Sequence, residues 1–381
     1  MIVEFMRKIC AIFFLFASSI AWADCGSPDC PDCREEPPTQ CCVPDQCVPY
    51  QGELVPPCTL PLAYNAPAGI HVARNWNFSL DLSFIYWEAR ERGLNFAFVI
   101  PKNPNAETAQ NIYNHFNFHP GFQLRGAMDL QYDGWEGFLT YGRLRLSESV
   151  STGVPAWGLG IEPLWLADVS DNGINGSPSG PFISQVGPAQ ETWHFAYDMF
   201  DFGLARPSYT GRSLILSPFG GFRTGLMTQS LRITYTVNTL PVLTKLKQMI
   251  HLLGPRAGVE GKFLFGYGLR FQGNTALALL YQVQNSYMNR ANFASPSITQ
   301  INVHDGFRFF APSVDLCMGM GWGIYFNRHS WYLDLSLSYD IHYYWNQNWM
   351  RHLKDSLDQR VAGHAEDLAI QGWTGTVKFN F

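Results

Sequence analysis

Three features of the sequence predict an all-β fold: an up-and-down antiparallel transmembrane β-barrel of about ten strands, within a range of ten to fourteen. Long segments alternate apolar and polar residues. After the first residues, no run approaches the ~18 consecutive apolar residues that a helical span needs. The chain closes on Val377-Lys378-Phe379-Asn380-Phe381, again alternating. Charged residues are 15% and aromatic residues 15% of the chain, a ratio unusual for a soluble protein of 381 residues. Barrels that cross membranes hide their hydrophobicity in alternation, so a global average does not show it.

At the start, Arg7 and Lys8 precede an apolar run from Ile9 to Phe16, and Ala21-Trp22-Ala23 supplies a small-x-small cleavage pattern. Residues 1–23 therefore read as a signal peptide, with Met6 as an alternative start because Glu4 sits oddly in such a segment. Lipid attachment at Cys25 is the rival reading, and Asp24 directly before it argues against it. Loss of Arg7, Lys8 and Glu4 leaves 24 basic and 30 acidic residues, from 26 and 31, so the net charge moves from −5 to −6. That balance offers no basic footprint for nucleic acid.

Residues 24–72 read as a Pro/Cys-rich periplasmic arm carrying Cys25, Cys30, Cys33, Cys41, Cys42, Cys47 and Cys58. Export implies an oxidising compartment, so disulfides are the default, with the distant Cys317 as an eighth candidate. Zinc at Cys30-Pro-Asp-Cys33 is the rival, but no His lies among these residues. No metal or cofactor is expected. Seven is odd: a thiol is left over, pairs with Cys317, or bridges to another copy or another envelope protein. Intermolecular bridges are favoured over an internally stapled arm.

From residue 73 to 381 the texture becomes that of a barrel. Trp76, Phe78, Leu80, Leu82, Phe84 and Tyr86 share one parity against Asn77, Ser79, Asp81 and Ser83. Successive side chains of a strand point to opposite faces, so one face is apolar and the other polar. The pattern returns in Phe122–Tyr132, Ala257–Phe265, Pro312–Ile324 and Trp331–Trp345. Asp133-Gly134, Arg206–Arg212, Gly266–Asn274 and Asn327–Ser330 supply short turns. The stretches 89–120, 148–193, 237–253, 288–306 and 348–365 read as long polar loops on the other side. Both termini are then periplasmic. Regions 94–101 and 156–167 offer extra hairpins. Trp331 to Trp345 spans roughly 46 Å at ~3.3 Å per residue, about 35 Å at ~40° tilt, enough to place a Trp at each membrane surface. The closing Phe381 resembles the signal read by outer-membrane assembly machinery.

Several segments resemble the major outer membrane protein family of Legionella, which also has relatives in chlamydia-like bacteria. They are Tyr86-Trp87-Glu88-Ala89-Arg90-Glu91, the run Asp201–Pro207 with Ser217–Arg223, Gly254-Pro255-Arg256-Ala257-Gly258, and Tyr343–Asn348. The resemblance covers about residues 76–381 and implies an outer-membrane barrel with porin or surface-antigen roles and no catalytic residues to transfer. The cysteine arm departs from that pattern. It is similar to disulfide-linked chlamydial envelope proteins and points to a chlamydia-like source.

For function, the inward parity carries Asp81, Arg125, Asp129, Arg256, Glu260, Lys262, Asp315, Asp334, Asp340 and His342. Charges across a narrow pore bias ion selectivity, which suits a porin passing ions and small hydrophilic solutes. The alternative is a structural or adhesive barrel whose lumen these groups fill by pairing with one another. Val242–Leu253, with Lys245 and Lys247 among Leu243, Leu246, Ile250 and Leu253, reads as a short helix that either constricts the mouth or lies on the surface. An enzyme is the third class: Asp340 and His342 share a face, similar to the Asp-x-His pair of omptin-type barrel proteases, with Asp81 the candidate to meet them across the lumen. Ordinary lumen residues are favoured over catalysis. Loops such as Ser170–Gly180 suit an adhesin.

Overall fold

The computed structural model describes residues 66–70, 72, 77–102, 110–130, 133–154, 156, 158–165, 187–237, 240–291, 299–327, 330–357 and 365–381. The signal segment, the seven arm cysteines, Trp76 and the Ser170–Gly180 loop lie outside these residues. In chain order the strands are β1 (Phe78–Glu91), β2 (Ala97–Pro101), β3 (Gln110–Ile112), β4 (His119–Asp129), β5 (Glu136–Thr152), β6 (Gly158–Pro163) and β7 (Ala189–Ala205). They continue as β8 (Ser208–Tyr209), β9 (Leu214–Val237), β10 (Leu240–Gly266), β11 (Leu269–Ala291), β12 (Thr299–Phe326), β13 (Trp331–Asn348) and β14 (Glu366–Asn380). One helix, α1 (Met350–Leu357), lies between β13 and β14.

Ten of these form the wall. β1, β4, β5, β7, β9, β10, β11, β12, β13 and β14 pair antiparallel in that order, and β14 returns to β1 from Ser79↔Asn380 to Glu91↔Leu368. Closure removes every exposed strand edge from the wall, which a lipid environment requires because it offers no alternative hydrogen-bond partner. The expected ten strands are present. Regions 94–101 and 156–167 do not add barrel hairpins: β2, β3 and β6 make a separate three-stranded sheet.

The turns at one end are tight. Asp133 (φ 51°) and Gly134 (φ 70°) join β4 to β5, and Tyr267 (φ 52°) and Gly268 (φ 81°) join β10 to β11. The β10–β11 hairpin has two central residues, and a turn of that length whose twist matches its strands needs positive φ at both. The expected Gly266–Asn274 turn is thus shorter than its sequence suggests, since β11 begins at Leu269. At the opposite end two expected loops are mostly strand. β9 and β10 are 24 and 27 residues long and pair from Val237↔Leu240 onward, so 240–253 is wall and Val242–Leu253 is not a helix. Likewise β11 runs to Ala291 and β12 starts at Thr299 inside the expected 288–306 loop.

These strands outrun the bilayer, and their polarity inverts partway along. On β10 the outward residues Leu253, Pro255, Ala257, Val259, Phe263 and Phe265 are exposed. Leu253–Phe265 projects to roughly 30 Å at ~3.3 Å per residue and ~40° tilt, the height of a lipid band. Nearer the loops the same outward parity carries His251, Lys247 and Lys245, while inward Val242, Leu246 and Ile250 are buried. β5 and β7 switch likewise, from outward Leu139 and Phe200 to outward Arg143 and His194, and from inward Thr140 and Asp201 to inward Leu144 and Phe195. The membrane-level barrel is polar inside and apolar outside; its outer extension is the reverse.

Candidate functional site

The lumen holds the candidate site, and it is stratified. Nearest the tight turns, a cavity of about 260 Å³ is lined by all ten sequence-predicted lumen residues and by Cys317. Residues 67–70 border it too, held by Ala68 N–H donating to Pro207 O at 3.0 Å, with Tyr209 N–H donating to the neighbouring Ala66 O at 2.9 Å. Its charges are matched locally. Lys262 Nζ lies 3.0 Å from Glu260 Oε1, Arg125 Nη2 3.4 Å from Glu136 Oε1, and Lys378 Nζ 3.9 Å from Asp81 Oδ1. Arg270 forks onto Asp334, with Nη2 to Oδ1 at 2.6 Å, and Tyr332 OH adds a bond to Asp334 Oδ2 at 3.1 Å.

Above this level a denser ion cluster crosses the lumen. Arg223 is 2% exposed and donates from Nε to Asp201 Oδ1 at 2.6 Å and from Nη2 to Asp201 Oδ2 at 2.8 Å. Its Nη1 reaches Asp315 Oδ1 at 3.0 Å and Tyr344 OH at 3.2 Å. Arg256 donates twice to Asp315 Oδ2, at 3.1 and 2.9 Å, and lies over the Phe219 ring at 4.9 Å. His342 Nδ1 stands 2.8 Å from Asp315 Oδ1, with the Trp87 ring 4.8 Å from the imidazole. Gly372 (φ +157°) gives Trp87 its place, since a Cβ there would meet Tyr86 O at 2.3 Å. Two guanidinium groups and two carboxylates thus compensate one another across β7, β9, β10 and β12, the arrangement that makes buried charge tolerable.

The expected Asp340–His342 pair is split. Asp340 accepts from Ser338 Oγ at 3.1 Å and from Thr374 Oγ1, while His342 takes its carboxylate from Asp315 on the neighbouring strand. Asp81, the candidate to meet them, lies beside Lys378. Sequence reasoning missed Arg223, Asp201 and Arg270. Asp201 and Arg223 do fall on the inward parity of β7 and β9. The run Pro218-Phe219-Gly220-Gly221 hides the alternation there.

The outer third of the lumen is a packed core. Trp193, Phe195, Leu231, Ile250 and Leu280 project inward at 0–1% exposure. Leu94, Phe96 and Trp165 from the loop segments and Met350 and Leu353 from α1 pack against them. Beyond its pairing with β12 at Tyr344↔Ser313, β13 turns inward. Gln347 O accepts from Gln284 Nε2 at 3.2 Å and from Gln248 Nε2, and Gln248 Oε1 accepts from Trp349 N–H at 3.3 Å. These amides tie the start of α1 into the mouth. Glu91 and Glu191, level with outward polar residues and outside the lipid band, are both pushed up to about 8 by burial.

The model of the family described as Legionella pneumophila major outer membrane protein precursor matches residues 71–381. Comparison with curated proteins gives no match. Among solved structures, the outer membrane protease OmpT from Escherichia coli aligns at 7% identity and TM-score 0.44 over 80% of this chain and 96% of its own. The CymD monoaromatic hydrocarbon channel aligns at 8% identity and TM-score 0.29 over 80% and 88%, and a Pseudomonas aeruginosa FadL homologue at 6% and 0.23 over 80% and 89%. At these scores the likenesses carry no argument about function.

Proposed function

The chain belongs to the Legionella major outer membrane protein family and resides in the outer membrane, and from that premise we propose that it is a structural surface barrel whose lumen is closed to solutes. One observation carries this reading: side chains at 0–1% exposure fill the outer lumen, continuous with the loop segments and α1. The Arg223–Asp201–Asp315–Arg256 cluster adds a second barrier at mid-height. Removing any one of its members would strand a buried ion, which holds the four side chains together across the lumen. A barrel of this kind serves as a rigid pedestal for loops and as a lateral element of the envelope, consistent with an adhesive role for segments such as Ser170–Gly180.

The rival porin reading, passive diffusion of ions and small hydrophilic solutes, is favoured by the charged cavity of about 260 Å³ and its ten predicted residues. The two readings separate in a planar bilayer. Refolded residues 24–381 should insert without single-channel steps, with or without reductant. Steady steps with a reversal potential in a salt gradient would overturn the closed-lumen reading and install the porin.

The remaining assignments are proposals on the same footing. Residues 1–23 are the signal peptide, 24–72 the periplasmic arm and 73–381 the barrel, and the arm cysteines link copies or other envelope proteins. Phe381 serves assembly. In support, its backbone pairs with Phe78 in both directions, at 2.9 and 3.0 Å, while its ring stays 38% exposed.

A further inference from the structure

The wall closes at membrane level, but its strands stop pairing at different heights. β12 pairs with β11 from Trp322↔Leu269 up to Thr299↔Ala291, and with β13 only from Phe326↔Trp331 up to Ser313↔Tyr344. The twelve steps from Ile324 to Pro312 climb roughly 30 Å at ~3.3 Å per residue and ~40° tilt, the height of the lipid band. From Arg308 upward the β13 side of β12 is therefore a strand edge that stands clear of lipid.

Parity decides which groups that edge presents. Gly323 N–H donates to Gly268 O at 3.0 Å on the β11 side, so odd residues of β12 bond towards β11 and even residues face the other way. Gly306 agrees, since its N–H turns away from β11 and donates to Asp305 Oδ1 at 2.8 Å. Pro312, which has no N–H to give, falls on the same parity. His304 and Arg308 then direct their N–H and C=O groups out of the sheet. Among the described residues no hydrogen bond reaches these groups.

The side chains beside the edge define what complements it. On the outward face Arg308 is exposed and has no acidic partner among the described residues, and His304 lies against Tyr287 at 4.5 Å. Asp305 points to the other face, 4.0 Å from His352 Nδ1. On that inward face Phe307 and Phe309 are half-buried against the half-buried Trp349 ring, at 4.6 and 5.5 Å. An open strand edge is a template for pairing with another chain, and proteins usually cover or blunt it. We propose that this edge receives an extended acidic segment of a partner protein, which adds a strand beside β12. A carboxylate of that segment sits opposite Arg308, and its alternate apolar residues lie over Phe307 and Phe309. Main-chain hydrogen bonds supply the affinity and the alternating side chains the specificity. This inference does not depend on whether the lumen is open.

The test uses the full mature chain refolded in neutral phosphatidylcholine vesicles. Three fluorescent peptides, each about ten residues long, are titrated by anisotropy: alternating Glu-Val, alternating Lys-Val, and the Glu-Val peptide methylated at every backbone nitrogen. The Glu-Val peptide should bind, and the other two should bind about ten-fold more weakly or not at all. Arg308→Glu should reverse the preference between the Glu and Lys peptides. Arg308→Pro deletes an N–H that faces the edge and costs no bond to β11, so it should fold and weaken binding about five-fold, the worth of one hydrogen bond. No binding of the Glu-Val peptide would overturn the proposal, as would equal binding of the Lys-Val or the methylated peptide. Unchanged affinity in folded Arg308→Pro would place the contact elsewhere and overturn it too. The peptide comparison needs no variant, so it decides the matter even if Arg308→Pro folds poorly.

Discussion

The membrane-level half and the outer half of this barrel are made from the same strands and obey opposite rules. At membrane level, outward Leu277 and Phe310 are 65% and 64% exposed, and the lumen holds Arg223, Asp201 and Asp315. Further out on the same ladders, Lys245 and Lys247 face outward and Leu246 and Ile250 fill the lumen. Burial of ions differs as well. The lower half buries carboxylates beside guanidinium groups. The outer half also buries Glu91 against Gln229 Nε2 at 2.9 Å, and Glu191 at 0% exposure, with neither carboxyl paired to a cation among the described residues. The difference teaches that the solvent, lipid or water, sets which face of a strand is apolar, while hydrogen bonding holds the ladder straight through the change.

The sharpest way to break the comparison is to remove a charge from the lower lumen. Asp315→Asn strips Arg223 and Arg256 of a shared partner and should cost about 3–5 kcal/mol, the usual penalty for stranding buried charge. Urea unfolding of the refolded barrel in vesicles would read it. A second pair probes the outer surface. Val259→Lys, in the lipid band, should cost about 2–4 kcal/mol, whereas Ser147→Lys on the outer extension should stay within ~0.5 kcal/mol. Equal costs would erase the boundary between the halves.

The amide clamp gives a smaller effect. Gln248→Ala combined with Gln284→Ala leaves Gln347 O without its donors and should cost about 1–3 kcal/mol. Faster hydrogen exchange confined to α1 would mark it as local. Smallest at pH 5 is Glu191→Gln, within ~0.5 kcal/mol, because it exchanges one neutral group for another. The effect grows with pH. A carboxyl raised from 4.5 to about 8 keeps its proton in the fold after the unfolded chain has lost it. Parent stability therefore falls between those values as pH rises, and the variant should lose less. Parallel pH profiles would show that Glu191 does not titrate in that window.

The strand number and the closed barrel were legible because both rest on period-two alternation with apolar residues outward. The outer extension was not, because the polarity changes sign without a change of period. Val242–Leu253 shows why. Leu243, Leu246, Ile250 and Leu253 fall at helical spacing, yet Leu246 and Ile250 face the lumen and Leu253 faces out. The Asp340–His342 expectation failed for another reason. Residues two apart share a face, but cross-strand pairing brought Asp315 opposite His342, and sequence separation does not reveal that neighbour.

Unequal strand length has a mechanical consequence. β12 has 28 residues and β10 has 27, but β1 has 14 and β4 only 11. Ladder hydrogen bonds along a strand share an applied shear load, so resistance follows the length of overlap. Pulled along its axis, the cylinder has a stiff flank and a compliant one, and rupture begins by peeling β4 from its neighbours while β9 to β12 still hold.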